Sequence, residues 1–174
     1  MPQADIGLIG LAVMGQNLAL NINDHGFNVA VYNRSESTTE SFIKGSANGS
    51  NIIATYSVEA LLKNLTQPRK VILMVRAGQA VDQVISQLLP HLDQGDIILD
   101  GGNSHFSDSN RRCQALSEKG VRFIGCGISG GEEGARHGPS IMPGGESSAW
   151  PEVRPVLQSI AAKVDGEPCC QWIG

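Results

Sequence analysis

Short apolar runs alternate with longer segments of helical period along this chain of 174 residues. Residues 5–9 form a buried apolar run, and Met14, Leu18 and Ile22 then lie four residues apart, on one face of a helix. The pattern predicts strands over 5–9, 28–32, 70–75, 96–100 and 122–126, and helices over 14–25, 80–89, 107–119 and 151–163. Such alternation predicts an α/β fold, with a doubly wound, mostly parallel sheet and helices on both faces.

A further helix is predicted to begin at Ser37, because Ser37 and Glu40 have the spacing of a capping box. The segment 45–51 is rich in Gly, Ser and Asn and predicts a loop. No internal repeat, low-complexity tract or linker interrupts the chain. Residues 1–174 are therefore predicted to form one domain, which their length also favours.

The composition disfavours several classes of partner. The net charge of −4 is opposite in sign to that of a typical nucleic-acid-binding surface, so no nucleic-acid partner is expected. No apolar run approaches the ~18 residues that a membrane span needs. The N-terminal residues 1–5 lack the basic and apolar stretches of a secretory signal, and we expect a cytoplasmic protein. No C-x-x-C pair occurs among the cysteines, so no metal site is expected at Cys113, Cys126, Cys169 or Cys170.

The first motif that indicates a ligand is the segment Gly10-Leu11-Ala12-Val13-Met14-Gly15. It lies between the first predicted strand and the first helix and has the G-x-G-x-x-G spacing, with Ala12 in place of the middle glycine. In a Rossmann-like turn of this kind, the helix N-terminus directs its free N–H groups at a pyrophosphate. A tight turn without a ligand is the alternative, but the strand–turn–helix context favours a dinucleotide.

The second motif, Asn33-Arg34-Ser35, follows the second predicted strand. In NAD-binding folds an acidic residue near this position bonds the ribose 2′-hydroxyl, and here that acid is missing. Asn33 and Ser35 can donate hydrogen bonds to a phosphate, and Arg34 can form a two-pronged pair with it. The motif therefore predicts NADP, with about ten- to a hundredfold preference if one charged hydrogen bond contributes roughly 1.5–3 kcal/mol. A solvated arginine on a loop is the alternative.

Three more segments follow predicted strands, at the ends where ligands bind in open α/β sheets. Residues 75–78 offer backbone contacts to a cofactor, and Asn103, in the segment 100–104, offers both a donor and an acceptor. The glycine-rich segment 127–135 has backbone N–H groups suited to an anionic or polyhydroxylated ligand. Ordinary glycine-rich turns are the alternative for the last two segments, but their place on one edge favours a shared cleft.

Together these segments resemble the 6-phosphogluconate dehydrogenase family, whose members are NADP-dependent and decarboxylating. The matching stretches run in family order along the chain: IGLIGLAVMGQNLALN from Ile6, YNRS from Tyr32, DIILDGGNS from Asp96, ISGGEEGA from Ile128, GPSIMPGG from Gly138 and GEPCCQWIG from Gly166. The broader β-hydroxyacid dehydrogenases share the first turn and a Gly-Gly pair with this chain, but not the stretch GEEGARHGPSIMPGG.

The resemblance implies that residues 1–174 form a Rossmann-like NADP-binding domain. It implies oxidation of 6-phosphogluconate at C3 by hydride transfer, loss of CO2 and tautomerisation to ribulose 5-phosphate, within the pentose phosphate pathway. By position, it implies cofactor contacts from Gly10, Leu11, Ala12, Val13, Met14, Gly15, Asn33, Arg34, Ser35, Val75, Arg76, Ala77 and Asn103. It implies substrate contacts from Asn103, Ser129, Gly130 and Gly131. The family usually carries Lys at the position of Arg76, so a backbone contact is expected there.

The resemblance places the catalytic Lys and Glu of the family downstream of Gly174, on a long helix. A helical domain then completes the substrate pocket and builds a homodimer. No catalytic residue is therefore expected within residues 1–174, and we expect this chain to bind NADP without turnover. Two alternatives are a domain of another β-hydroxyacid dehydrogenase and a non-catalytic nucleotide-binding module.

Overall fold

The computed structural model describes residues 3–174. Met1 and Pro2, which belong to the stretch considered above for a secretory signal, lie outside the described residues. The described chain contains a seven-stranded sheet of order β3-β2-β1-β4-β5-β6-β7. Its strands are β1 (Ile6–Ile9), β2 (Val29–Tyr32), β3 (Ile53–Ala54), β4 (Lys70–Leu73), β5 (Ile97–Asp100), β6 (Arg122–Ser129) and β7 (Ser140–Gly145). Only β7 is antiparallel to its neighbour, so the predicted mostly parallel sheet is confirmed.

Helices connect most of these strands. They are α1 (Val13–Asp24), α2 (Glu36–Lys44), α3 (Val58–Lys63), α4 (Gln79–Leu88), α5 (Phe106–Ser117), α6 (Gly131–His137) and α7 (Trp150–Ile160). A two-stranded hairpin of β8 (Lys163–Val164) and β9 (Glu167–Pro168) follows α7. Among residues 3–174, no helix has the length and hydropathy needed to cross a membrane.

Side chains along each strand alternate between two hydrophobic clusters, one on each face of the sheet. Leu8 of β1 belongs to the cluster that contains Leu18 of α1 and Val153 of α7. Its neighbour Ile9 belongs to the other cluster, with Leu61 of α3. Helices α4 and α5 contribute to that second cluster as well. The prediction of helices on both faces is therefore confirmed.

Several predicted helix boundaries are wrong by one to three residues, and two of them show a local cause. Helix α2 begins at Glu36 rather than Ser37, with Ser35 as the N-cap residue, and the Ser35 and Ser37 hydroxyls bond each other at 3.0 Å. Helix α7 ends at Ile160 rather than Lys163, because the backbone becomes extended at Ala161. The Lys163 ammonium then donates hydrogen bonds back to carbonyls of the last helical turn and the residue after it.

The sequence pattern missed several short elements. Strand β3 has two residues and helix α3 has six, so neither gives a measurable period. Strand β6 continues to Ser129, beyond the predicted end at Cys126, because β7 pairs with it from Ile124 onward. Helix α6 begins within the glycine-rich segment 127–135, where no helix was predicted.

The sheet brings the loops that follow its parallel strands to one edge. The strand order reverses at β1, with β2 and β3 on one side and β4 to β7 on the other. The N–H of Gly10 donates to Tyr32 O at 3.0 Å, and the N–H of Met74 donates to Ile9 O at 2.7 Å. The loops after β1, β2 and β4 therefore leave the sheet side by side, in the crevice where open α/β sheets bind ligands.

Candidate functional site

The turn between β1 and α1 requires glycine at both ends. Gly10 has φ of +105°, and a Cβ atom there would lie 2.4 Å from Met74 O. A Cβ atom at Gly15 would lie 1.8 Å from Gly10 O. Helix α1 therefore starts in direct contact with the turn and with the end of β4. These are the tight-turn and close-packing roles that the two glycines have in dinucleotide-binding turns.

The N-terminus of α1 is open to solvent. The N-cap residue Ala12 is exposed and extended, and it offers no side-chain acceptor to the first turn. Val13 is also exposed, and the first turn contains no acidic residue. The free N–H groups and the positive end of the helix dipole can therefore receive an anion from outside the chain.

The loop after β2 is tied to this turn by Asn33. Its Oδ1 accepts a 2.9 Å hydrogen bond from the N–H of Leu11, and its Nδ2 donates to Ser35 O at 3.3 Å. Arg34 and Ser35 are exposed. A cavity of about 220 Å³ lies beside them, with Gly10, Asn33, Arg34, Val75 and Val84 in its lining.

The loop after β4 adds a wall to that cavity. Val75 is half-buried, packs against the hydrophobic cluster on the α4 face and lines the cavity, whereas Arg76 and Ala77 are exposed. A Cβ atom on Gly102 would lie 2.6 Å from Val75 O. The loops after β4 and β5 are therefore in backbone contact.

Asn103 links the loop after β5 to strand β6. Its Oδ1 accepts from the N–H of Ile128 at 3.0 Å, and its Nδ2 donates to Ile128 O at 3.3 Å. Strands β5 and β6 pair only as far as Asp100 and Gly125, so the Asn103 side chain continues the pairing beyond the end of β5. Asn103 has φ of +57°, a conformation that Asn adopts more readily than most residues.

Ser129, Gly130 and Gly131 form the junction of β6 and α6 and are all exposed. Because Asn103 bonds Ile128, it lies next to this junction. Helix α6 is fixed against α1, since Asn17 Nδ2 donates to Glu132 O at 3.3 Å and the buried Asn21 donates to Ala135 O at 3.1 Å. The structure thus brings the glycine turn, Asn103 and the Ser129–Gly131 junction to the same edge of the sheet.

An ionic cluster around the buried Arg112 lies behind these loops and was not predicted from the sequence. Arg112 of α5 is 2% exposed and pairs with Asp82 through two hydrogen bonds, Nε to Oδ1 at 2.9 Å and Nη2 to Oδ2 at 3.2 Å. The Arg112 guanidinium holds the pKa of the Asp82 carboxyl below its usual range. The spacing of Arg112 and Leu116 could have indicated that Arg112 is buried. The two residues lie four positions apart, on the same face of α5, and Leu116 is a core residue.

A second cavity, of about 720 Å³, adjoins Asn103. It lies between α5 and the β6–β7 pair, and its lining includes three exposed apolar side chains, Phe106, Met142 and Ile173. Within residues 3–174, no group of three His, Cys, Asp or Glu side chains is arranged to hold a metal ion.

A family model described as the NAD binding domain of 6-phosphogluconate dehydrogenase matches residues 5–174. This chain belongs to that family. The resemblance seen in the sequence motifs is therefore confirmed. A 6-phosphogluconate dehydrogenase, decarboxylating, from Haemophilus influenzae is 64% identical over 173 residues. The match covers 99% of this chain and 36% of that relative.

Other 6-phosphogluconate dehydrogenases give the same result. The decarboxylating enzyme 1 of Saccharomyces cerevisiae is 58% identical over 171 residues, which are 98% of this chain and 35% of the yeast protein. The chain thus spans about a third of the length of these curated relatives.

Among solved structures, the 6-phosphogluconate dehydrogenase of Plasmodium falciparum is 48% identical, with a TM-score of 0.93 over 98% of this chain and 37% of that one. It was solved in its apo form, with its cofactor NADP+ and with its substrate 6-phosphogluconate. A 3-hydroxyisobutyrate dehydrogenase of Mycobacterium tuberculosis is 24% identical, with a TM-score of 0.77 over 92% of this chain and 53% of that one, and shares the fold.

Proposed function

We propose that this chain binds NADP across the carboxyl edge of its sheet. The observation that carries the proposal is the turn between β1 and α1, where the backbone fills the space of any Cβ at Gly10 and Gly15 and leaves the N-terminus of α1 open. A pyrophosphate fits this position, because it accepts hydrogen bonds from N–H groups and its charge opposes the helix dipole. Leu11, Ala12, Val13 and Met14 complete the turn in this proposal.

The proposed 2′-phosphate site is the loop 33–35. Arg34 is exposed beside the 220 Å³ cavity and can form a charged, two-pronged contact with a phosphate. The Asn33 amide is already bonded to Leu11 and Ser35, so its main contribution is to hold the loop against the glycine turn. No acidic side chain occupies this loop to compete with a phosphate.

The remaining cofactor contacts are assigned to the loops after β4 and β5. Val75 already lines the cavity, and Arg76 and Ala77, which follow it in the same loop, are exposed. Asn103 bonds Ile128 next to the Ser129–Gly131 junction, and its neighbour Gly102 lies against the loop after β4. We therefore assign Asn103 to both cofactor and substrate, and Ser129, Gly130 and Gly131 to substrate.

The proposed substrate is 6-phosphogluconate, and the proposed reaction is its oxidative decarboxylation to ribulose 5-phosphate, CO2 and NADPH. When bound, NADP supplies the hydride acceptor for this oxidation. The residues of this chain bind and orient: the glycine turn and residues 33–35 hold phosphates, and the Ser129–Gly131 junction presents a hydroxyl and backbone N–H groups to the sugar acid. We assign the proton-transferring Lys and Glu to a helical domain that follows Gly174 in a longer cytoplasmic, homodimeric protein.

The test is a calorimetric titration of the chain with NADP and, separately, with NAD. The expected result is binding of NADP with at least tenfold preference over NAD, and loss of that preference in Arg34→Ala. Arg154→Ala is the matched control, because Arg154 is an exposed arginine on α7 whose Nε donates to Gln158 at 3.1 Å. The folded chain should show no turnover of 6-phosphogluconate with NADP. Failure to bind either dinucleotide would overturn the cofactor proposal, and turnover would overturn the assignment of the catalytic residues.

A further inference from the structure

We propose that Arg112 is a positioning residue that holds the turn after β5 against the loop after β4, and so fixes Asn103 between the proposed cofactor and substrate sites. The proposal rests on the proposed function for what Asn103 contacts. How Asn103 is held in place is inferred from the hydrogen bonds around Arg112.

All five N–H donors of Arg112 have acceptors. Two are used by the paired contact with Asp82 near the start of α4. The third donates from Nη2 to Gly78 O at 3.1 Å, in the loop after β4. The remaining two donate from Nη1 to Ser104 Oγ at 3.1 Å and to Asp100 Oδ2 at 3.5 Å. One side chain of α5 thus binds both loops at the edge of the sheet.

The Asp100 carboxylate organises the turn that Arg112 reaches. Its Oδ1 accepts from the N–H of Gly102 at 2.9 Å, and its Oδ2 accepts from the hydroxyl of Ser104. Ser104 therefore donates to Asp100 and accepts from Arg112 with the same oxygen. These contacts therefore hold Gly102 and Ser104, the two residues next to Asn103 in the chain.

Asn103 transmits this arrangement to strand β6. Its side chain is the acceptor of the Ile128 N–H, and Ile128 directly precedes the Ser129–Gly131 junction. On the other side of the turn, Gly102 is in contact with the backbone of Val75. A shift of the turn after β5 would therefore move Asn103 relative to both proposed binding loops.

The charges of the cluster favour a positioning role over a purely stabilising one. Arg112 is a buried cation between the buried Asp100 and the partly exposed Asp82. A buried ion pair such as Arg112–Asp100 commonly gives little net stability relative to apolar residues of similar size. Its five acceptor atoms all belong to the loop after β4, the first turn of α4, the last residue of β5 or the loop after β5. The cluster fixes the direction of the loops, a property that a set of apolar contacts would specify less sharply.

The test measures hydrogen exchange at the Ile128 amide in the chain without cofactor, and then NADP affinity. Ser104→Ala removes the hydroxyl that joins Arg112 to Asp100, and Arg112→Lys keeps the charge but not the paired geometry. Both variants should speed exchange at Ile128 by at least tenfold, while the buried Ile98 amide in β5 remains as slow as in the parent chain. Both should weaken NADP binding about three- to tenfold. Ser104→Thr, which keeps the hydroxyl, should restore both values.

Arg111→Gln is the matched control. Arg111 is exposed and contacts the same Asp82, at 3.2 Å, but does not reach the turn after β5. This variant should leave exchange at Ile128 and NADP affinity unchanged.

Two results would overturn the positioning role. One is an unchanged exchange rate at Ile128 in Ser104→Ala. The other is an equal increase at Ile128 and Ile98, which would show general destabilisation. If Arg112→Lys does not fold, the exchange rate at Ile128 in Ser104→Ala tests the positioning role by itself. If the parent chain does not bind NADP, the proposed function fails, and Ile128 exchange still decides the positioning role.

Discussion

The side-chain oxygen of Asn33 accepts a hydrogen bond of 2.9 Å from the backbone N–H of Leu11. Asn33 follows β2 and Leu11 lies within the glycine turn after β1, so this bond fixes the two proposed phosphate-binding loops relative to each other. A carboxylate can accept the same bond, and carboxylates stand near this position in folds that bind NAD. In Asn33→Asp the bond from Leu11 can therefore be kept while the charge changes, although the donor to Ser35 O is lost.

Asn33→Asp should remove the preference for NADP over NAD. The carboxylate keeps the bond from Leu11 but places a negative charge beside the proposed 2′-phosphate. We expect NADP affinity to fall about ten- to a hundredfold, which corresponds to a charged contact of roughly 1.5–3 kcal/mol, while NAD affinity does not fall. Calorimetric titration with both dinucleotides measures this change.

The control for that variant is Asn48→Asp, which makes the same charge change in the exposed loop after α2. Its affinity for NADP should match that of the parent chain. Equal NADP affinity in Asn33→Asp and the parent would remove the loop 33–35 from the proposed phosphate site.

Gly15→Ala should destabilise the chain strongly. The added Cβ would lie 1.8 Å from Gly10 O, a backbone atom, so the turn or the helix must move. We expect a loss of about 3 kcal/mol, the upper end of typical overpacking costs, and a fall of about 6–12 °C in the thermal midpoint. Circular dichroism during heating measures this change.

Ala12→Gly is the matched comparison within the same turn. Ala12 is exposed at the N-cap of α1, a position where glycine is favoured over alanine. Its thermal midpoint should equal or slightly exceed that of the parent. If the thermal midpoint of Gly15→Ala lies within 2 °C of the parent's, the loss of stability is at most about 1 kcal/mol. Such a result would show that α1 does not pack on the turn as closely as described.

Much of the fold could be predicted because it depends on local patterns. Apolar runs such as residues 70–75 are long enough to identify buried strands, and the glycine turn is recognisable from spacing alone. Strand β3 could not be predicted, because two residues carry no period. Strand β7 was missed because the segment Ser140–Gly145 contains Pro143 and two glycines, which are depleted in strands.

The site was predictable where one segment carries its own signal, and not where partners come from distant segments. Arg112 contacts Asp82, which is thirty residues away along the chain, and nothing in the sequence near Arg112 indicates that partner. In the same way, family resemblance assigned Asn103 to the ligands, but its paired bonds to Ile128 depend on the register of β5 and β6. These long-range contacts required the three-dimensional structure.

Asp82→Asn should change how stability depends on pH. Hydrogen bonds from Arg112 hold the pKa of the Asp82 carboxyl below its usual range, so the folded chain binds this proton less readily than the unfolded chain. The contribution of Asp82 is therefore fully present above its ordinary pKa and is lost as the pH falls through the lowered value. The thermal midpoint of the parent should exceed that of Asp82→Asn at pH 6, and the difference should shrink towards pH 3.

The control is Glu118→Gln, at an exposed residue directly after α5. Its thermal midpoint should be close to that of the parent at pH 6. A difference between Asp82→Asn and the parent that is constant from pH 6 to pH 3 would mean that Asp82 is not paired with Arg112 in solution.

The Cys170 thiol should be unreactive in the folded chain. Cys170 is 1% exposed, and burial raises the pKa of its thiol to about 11. At pH 8 the reactive thiolate would then be about one part in a thousand, against roughly a quarter for an ordinary thiol with a pKa of ~8.5. Alkylation by iodoacetamide, followed by mass spectrometry in a Cys169→Ser background, should be at least a hundredfold slower for Cys170 in the folded chain than in denaturant. Between pH 8 and pH 10 the native rate should rise about a hundredfold, whereas an ordinary thiol levels off above about pH 9. A native rate equal to the denatured rate would show that Cys170 is not packed in the hydrophobic cluster that contains Ile141 of β7.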